Sequence, residues 1–271
     1  MTLPAPRPPG GHDVLAEIVR GTRARLAADP IDLDALVAQA HAAPTASDGL
    51  AALNRPGVRI IAEVKRKSPS LGAIATGVDP AAQAAHYADA GAAAISVLTE
   101  PDHFGGSLAD LASVARAVST PCLRKDFIVT PRQLAEARLA GASLVLLIAA
   151  VLDDRELVTL REAAEALGLH ALVEAHDALE VDRAVASGAR IVGVNNRDLR
   201  SLAIDLATAE RLRPRIPAGL VAVAESGLEG PADVARLSAA GYDAFLVGTA
   251  LMRAPDPAAA LRALIAAGSR P

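Results

Sequence analysis

The chain has 271 residues, close to the ~250 of an eight-fold α/β barrel, so one domain is expected. Its 27 basic and 31 acidic residues give a formal charge of −4 with no Lys- or Arg-rich stretch, which argues against a nucleic-acid partner. Hydrophobic residues make up 52% and aromatics only 2%, so Ala, Val, Leu and Ile must fill the core, as branched aliphatics fill barrel layers.

Residues 1–10 are rich in Pro and Gly and are expected to be disordered. The opening MTLPAPRPPGG has neither the basic segment nor the apolar run of a secretory signal, so a cytoplasmic protein is expected. Residues 11–53 read as helical, broken at Pro30-Ile31-Asp32, with Val14, Leu15, Ile18 and Leu26 on roughly one face. An extension capping one end of the domain is the plain reading; a separate partner-binding module is the alternative. Next come VRIIAEVK (58–65), a strand pattern, and then a signature that recurs four times. Its copies are AGAAAISVL from Ala90, AGASLVLLI from Ala140, SGARIVGVN from Ser187 and AGYDAFLVG from Ala240. In each, an Ala-rich helix stops at a glycine suited to the left-handed C′ position and a run of β-formers follows. The glycines Gly91, Gly141, Gly188 and Gly241 are spaced by 50, 47 and 53 residues, about twice a strand-helix unit. One further strand therefore belongs in each interval, and PCLRKDF (121–127), HALVEAH (170–176) and LVAVAES (220–226) supply them. Eight apolar strands alternating with helices predict a single closed (β/α)8 TIM barrel, class α/β, over residues 1–271; a doubly wound open sheet is the alternative. The apolar run from Leu139 to Leu152 is too short to span a bilayer and reads as a buried strand, so no membrane partner is expected. Cys122 is a lone cysteine without a nearby base and reads as core.

Active sites of such barrels lie at the carboxyl ends of the strands, so charges placed late in apolar strands are informative. Strand 1 ends with Glu63 and Lys65, strand 3 with Lys125 and Asp126, strand 5 with Glu174, strand 6 with Asn195, and strand 7 with Glu225 and Ser226. Glu63 and Lys65 are two apart, so both point into the mouth while Val64 faces the helices. Internal salt bridges would account for any one of these residues; five strands together argue for proton donors, proton acceptors and an anion clamp. Gly227 after strand 7 and Gly248 with Thr249 after strand 8 stand where such barrels hold phosphate. The loop KRKSPS (65–70), which includes Ser68, favours an anion contact over a solvated turn, and Asn195 and Arg197 offer an amide and a fork of donors. The six histidines show no metal-ligand spacing, and no nucleotide-binding glycine motif appears, so neither metal nor cofactor is predicted.

The segments IIAEVKRKSPS (60–70), LRKDFIV (123–129), LVEAH (172–176), VGVNNRDL (192–199), VAESG (223–227) and LVGTALM (246–252) resemble, in order, those of the indole-3-glycerol phosphate synthase family. The resemblance spans Ile60 to Met252. It implies decarboxylation and dehydration of 1-(2-carboxyphenylamino)-1-deoxyribulose 5-phosphate to indole-3-glycerol phosphate in tryptophan biosynthesis. It further implies Lys125 as general acid toward the ketone oxygen and Glu174 as proton acceptor or donor in dehydration. Lys65 would pair with the substrate's anionic groups as a second candidate acid, with Glu63 orienting it. Asn195, Glu225 and Ser226 would line the site, Gly227, Gly248 and Thr249 would hold the phosphate, and Phe104 and Phe127 are candidates to contact the anthranilate ring. A buried lysine that yields its proton readily calls for a depressed pKa, in one lysine or the other. Leu71, His103 and Arg132 depart from the family pattern. Phosphoribosylanthranilate isomerase, which would need a Cys and an Asp at strand ends, and a non-catalytic phosphoanion-binding barrel are the rival readings. A monomer or weak homo-oligomer with a small phosphorylated substrate is expected.

Overall fold

The computed structural model describes residues 13–68, 72–74, 77–198 and 202–268, so the expected disorder of residues 1–10 and the departure at Leu71 lie outside it. All eight expected strands form: β1 (Arg59–Val64), β2 (Ala94–Leu98), β3 (Cys122–Lys125), β4 (Leu144–Ile148), β5 (His170–Ala175), β6 (Ile191–Asn195), β7 (Val221–Glu225) and β8 (Ala244–Val247). Each pairs in parallel with the next, and β8 closes on β1 through Ile61 opposite Leu246 and Ala62 opposite Val247. The barrel is closed, and the open-sheet alternative falls.

Helices α1 (Val14–Ala28), α2 (Leu33–Ala42) and α3 (Gly49–Leu53) precede the barrel. Helices α4 (Pro80–Asp89), α5 (Leu108–Ala117), α6 (Pro131–Leu139), α7 (Asp154–Ala166), α8 (Ala178–Ala186), α9 (Ala207–Leu212) and α10 (Pro231–Ala239) follow β1 to β7. The short α11 (Thr249–Arg253) and then α12 (Pro257–Ala266) follow β8. The repeated glycines end α4, α6, α8 and α10: Gly91, Gly141, Gly188 and Gly241 have φ of +98°, +88°, +84° and +102°. Each donates its N–H to the carbonyl three residues back, as in Gly141 to Arg138 at 3.1 Å. A side chain at these positions would strain the turn that aims the next strand.

Strand alternation sorts the core into two layers. Ile61, Ala94, Leu123, Leu144, Leu146, Leu172, Ile191, Val223 and Leu246 fill the barrel, whereas Ile60, Ala62, Val64, Ile95, Val145, Val173, Val192 and Phe245 face the helices. The same parity carries Glu63, Lys125, Glu174, Asn195 and Glu225 inward at the carboxyl end. It turns Asp126 outward, correcting its grouping with Lys125: Asp126 is bonded to Arg124 at 2.8 Å and Thr99 at 2.6 Å in the β3–α6 layer. Strand β1 stops at Val64 and β3 at Lys125, so Lys65, Asp126 and Ser226 each stand one residue beyond a strand end.

The helices before β1 do not cap one end as expected; they engage both. Leu15 and Ile18 of α1 are buried in the cluster that includes Phe127 and Ile148 at the carboxyl end, together worth about 3–6 kcal/mol of apolar burial. Arg25 pairs with Asp102 at 2.7 Å and Arg23 with Glu156 at 3.3 Å on the same side. Helix α2 then runs along α6, and α3 plugs the opposite end, where Leu50 and Leu53 are buried. There a Cβ on Gly49 would stand 2.6 Å from Leu144, and Asp48 pairs with His170 at 3.1 Å. Val14 and Leu26, expected on the buried face, are only partly buried, and Thr22 joins Leu15 and Ile18 instead.

Candidate active site

A cavity of about 490 Å³ opens at the carboxyl end of the barrel. Its walls include Glu63, Lys65, Lys125, Asn195, Arg197, Glu225, Ser226, Gly227, Gly248, Thr249 and Phe104, eleven of the residues singled out from sequence. Glu174 lies just below the cavity floor, its side chain 2% exposed, with an oxygen 3.1 Å from Lys125 Nζ. Phe127 is buried behind Phe104, ring centroids 6.2 Å apart, and supports the wall rather than forming it. The backbone of Ser68 joins a short hairpin of Lys67–Ser68 with Gly72–Ala73 after β1. Within the basic loop, Lys65 faces the cavity, while Arg66 is drawn to Asp110 at 2.6 Å and to the Gly105 carbonyl.

Two lysines and two carboxylates form the floor, with Glu174 beneath them. Lys125 Nζ lies 3.1 Å from Glu174 Oε2 and 3.5 Å from Glu225 Oε2; Lys65 Nζ lies 2.7 Å from Glu63 Oε1. Burial alone would drive the Lys125 ammonium to lose its proton, but Glu174, Glu225 and Glu63 outweigh it and hold its pKa above the usual lysine value. The depressed lysine pKa expected from sequence is therefore not found at Lys125, because the surrounding carboxylates outweigh desolvation. Burial would likewise raise Glu174, but the Lys125 charge and the Asn195 amide hold it below the ordinary glutamate value. At Glu225 the Lys125 charge, 3.5 Å away, is outweighed. Burial and the neighbouring Glu174 charge push it well above the usual carboxylate range, and neither of its oxygens accepts a hydrogen bond. The buried charges thus pull the two carboxyls in opposite directions, Glu174 toward the ionised form and Glu225 toward the protonated form, beside an ammonium that they keep charged.

The surrounding loops fix these groups. Asn195 Oδ1 accepts the N–H of Arg197 at 3.0 Å, and the Arg197 guanidinium, held below its ordinary pKa by burial, donates to the Leu202 carbonyl at 2.9 Å. At the end of β7 both Ser226 and Gly227 take left-handed backbone, φ +63° and +77°. A Cβ on Gly227 would meet Ile204 at 2.6 Å, so glycine lets the loops after β6 and β7 close together. Gly248 packs against Glu63, whose Oε1 would lie 2.4 Å from a Cβ there.

Several supporting residues were missed from sequence. Gly193 sits two residues before Asn195 on the inward face of β6, where a Cβ would stand 2.2 Å from Glu225 Oε1; this glycine makes the room Glu225 occupies. Asn196, next to the residue chosen, donates to the carbonyls of Glu225 and Ser226 at 3.1 Å each and accepts from Ala209 at 3.0 Å. Glu100 is buried and accepts the N–H groups of Asp102, His103 and Phe104, shaping the loop that presents Phe104. It follows an apolar strand end, so the rule applied to the other strands would have found it. The departure at Arg132 has a structural role: Arg132 binds Glu136 at 2.7 Å and Asp29 at 2.5 Å, fastening α6 to the end of α1. His176, Asp177 and Glu180 bring potential metal-ligand atoms within 4.8 Å of one another, a grouping the histidine spacing did not flag. Its contacts are those of a helix cap: Asp177 accepts from Glu180 N at 2.8 Å and His176 Nδ1 lies 2.5 Å from Glu180 Oε2.

Fold and site together define a (β/α)8-barrel enzyme with a buried lysine-carboxylate cluster at its carboxyl end. The model of the indole-3-glycerol phosphate synthase family matches residues 15–264, and the chain belongs to that family. An indole-3-glycerol phosphate synthase of Streptomyces griseus is 55% identical over 260 residues, 95% of this chain and 97% of the relative. One from Mycobacterium leprae is 48% identical, covering 95% and 96%. Among solved structures, a 3-hexulose-6-phosphate synthase from Salmonella typhimurium matches with a TM-score of 0.61 at 17% identity, over 77% of this chain and 97% of that one, a likeness of fold alone. The chain is accordingly a decarboxylating lyase of tryptophan biosynthesis. Among the described residues no helix is long and apolar enough to cross a membrane.

Proposed function

We propose that this chain closes the indole ring of 1-(2-carboxyphenylamino)-1-deoxyribulose 5-phosphate with Lys125 as general acid and Glu174 as its proton-exchange partner. The observation that carries this reading is the buried contact of 3.1 Å between Lys125 and Glu174 at the cavity floor. The ring carbon bearing the carboxylate attacks the ketone carbon, and the Lys125 ammonium, kept charged by its carboxylates, protonates the developing alkoxide. The carboxylate leaves as carbon dioxide, its C–C electron pair restoring the aromatic ring. The new hydroxyl then departs as water with a proton from Lys65, the second acid, while a proton released from the former methylene of the closing ring goes to Glu174.

Lys65, held by Glu63, meets the anionic groups of the substrate, and Asn195, Glu225 and Ser226 line its path. The backbone at Gly227, Gly248 and Thr249 holds the phosphate, with Ser68 and Arg197 as further contacts and Phe104, backed by Phe127, against the anthranilate ring. The chain works as a single barrel domain, a monomer or weak homo-oligomer, in the cytoplasm. The test is Glu174→Gln, which keeps the shape and removes the ionisable acceptor: turnover should fall ~10²–10⁴-fold with KM little changed. An unchanged turnover would overturn the assignment of Glu174.

A further inference from the structure

The barrel has a second cavity at its other end. About 260 Å³ in volume, it lies between the segment joining α2 to α3 and the ends of α5 and α6, with the start of β3 at its wall. Apolar Pro44, Ala46, Val118 and Leu139 line it together with Thr120 and Ser143. Arg138, at the end of α6, also lines it and is 7% exposed. Only one arm of its guanidinium is engaged: Nη2 donates to the carbonyls of Ala43 at 3.1 Å and Pro44 at 2.6 Å. Its Nε is buried without any hydrogen-bond partner, and no carboxylate among the described residues pairs with it.

By contrast, the other arginine buried to this degree among the described residues, Arg124, has both Asp126 and Glu136 within ion-pair distance, and Lys125 has two glutamates. A guanidinium withdrawn from water without an anion is costly, and a cavity beside it offers the place from which an anion can arrive. With both Nη2 hydrogens given to carbonyls, the guanidinium can offer a carboxylate single charge-assisted hydrogen bonds from its other nitrogens, and the apolar walls suit a small hydrocarbon body attached to it.

We propose that this end of the barrel carries a binding site, separate from the substrate cavity, for a small monocarboxylate with an apolar body, held by Arg138. The site lies at the opposite end of the strands from Lys125, so the two cavities can be probed apart.

Benzoate is the probe, titrated into the full chain carrying ¹³C-methyl alanine and followed by NMR. The expected result is saturable shifts of the Ala43, Ala46 and Ala115 methyls with a dissociation constant on the order of 1 mM. Arg138→Met should weaken binding at least tenfold, and Ala46→Leu, which narrows the cavity and keeps the arginine, should do the same in a protein whose circular dichroism melt is retained. Lys125→Met, at the opposite end of the strands, should leave these shifts in place under conditions where the variant remains folded. Absence of saturable shifts, shifts that survive both Arg138→Met and Ala46→Leu, shifts lost in Lys125→Met, or saturation by inorganic phosphate but not benzoate would each overturn the proposal.

Discussion

Replacing Lys125 by Met keeps the aliphatic stem and removes the charge, and the structure sets the size of two separate effects. On turnover, loss of the general acid should cost ~10²–10⁴-fold. On stability, the substitution leaves Glu174 and Glu225, 2% and 1% exposed, without their cation. Breaking a buried pair from one side costs about 3–5 kcal/mol while the carboxylate stays charged. Its pH dependence has a definite sign. In the native chain Lys125 holds Glu174 below its ordinary pKa, so Glu174 adds stability above its unfolded value of 4.5, lost as pH falls through the lower folded value. Without Lys125, burial raises the folded pKa of Glu174 instead, so the variant regains stability as pH falls and the carboxylate takes up a proton. Urea unfolding of both proteins at pH 8 and pH 5, with turnover measured at each, checks this. The deficit of the variant should be largest at pH 8 and shrink at pH 5. A deficit independent of pH, or turnover within a few-fold of the native chain, would refute the pairing of Lys125 with Glu174 and its role as the acid.

Gly193→Ala places a Cβ 2.2 Å from Glu225 Oε1 and 3.2 Å from Leu172, so it should cost about 1–3 kcal/mol and lower turnover by displacing Glu225. Thermal melting and steady-state rates check both parts. Asp126→Leu breaks the ion pair with Arg124, whose side chains are 5% and 3% exposed, and should cost about 3–5 kcal/mol in urea unfolding. His176 has its pKa raised, chiefly by its hydrogen bond to Glu180. Its contribution is full below the ordinary value of 6.5 and is lost as pH rises through the raised folded value, so His176→Gln should lower Tm more at pH 6 than at pH 9.

The barrel was legible because its signals are local and repeated. Gly91, Gly141, Gly188 and Gly241 mark helix ends by backbone conformation, and the strands between them are apolar on both faces, which only a covered parallel sheet requires. The inward set was legible where strand parity alone decides direction, as for Glu63 with Lys65. Asp126 was misplaced because position late in a strand does not say which face a side chain takes; one residue of register turns it from the mouth to the helix layer. Protonation states were not legible, since the balance between burial and three carboxylates around Lys125 depends on distances of 3.1 and 3.5 Å across separate strands. Gly193 was missed for a related reason: its role is space for a side chain 32 positions away, and a lone glycine in a strand carries no mark of that. The division of the N-terminal helices between the two ends of the barrel rests on contacts such as Arg25 with Asp102 and Gly49 with Leu144, pairings that amphipathic periodicity does not encode.

The most direct test of the central claim is to mix the purified chain with 1-(2-carboxyphenylamino)-1-deoxyribulose 5-phosphate in chelator-treated buffer and follow indole-3-glycerol phosphate by its fluorescence. Steady product formation that collapses in Lys125→Met is the predicted result. Folded native protein that yields no product, or equal product from the variant, would contradict the account.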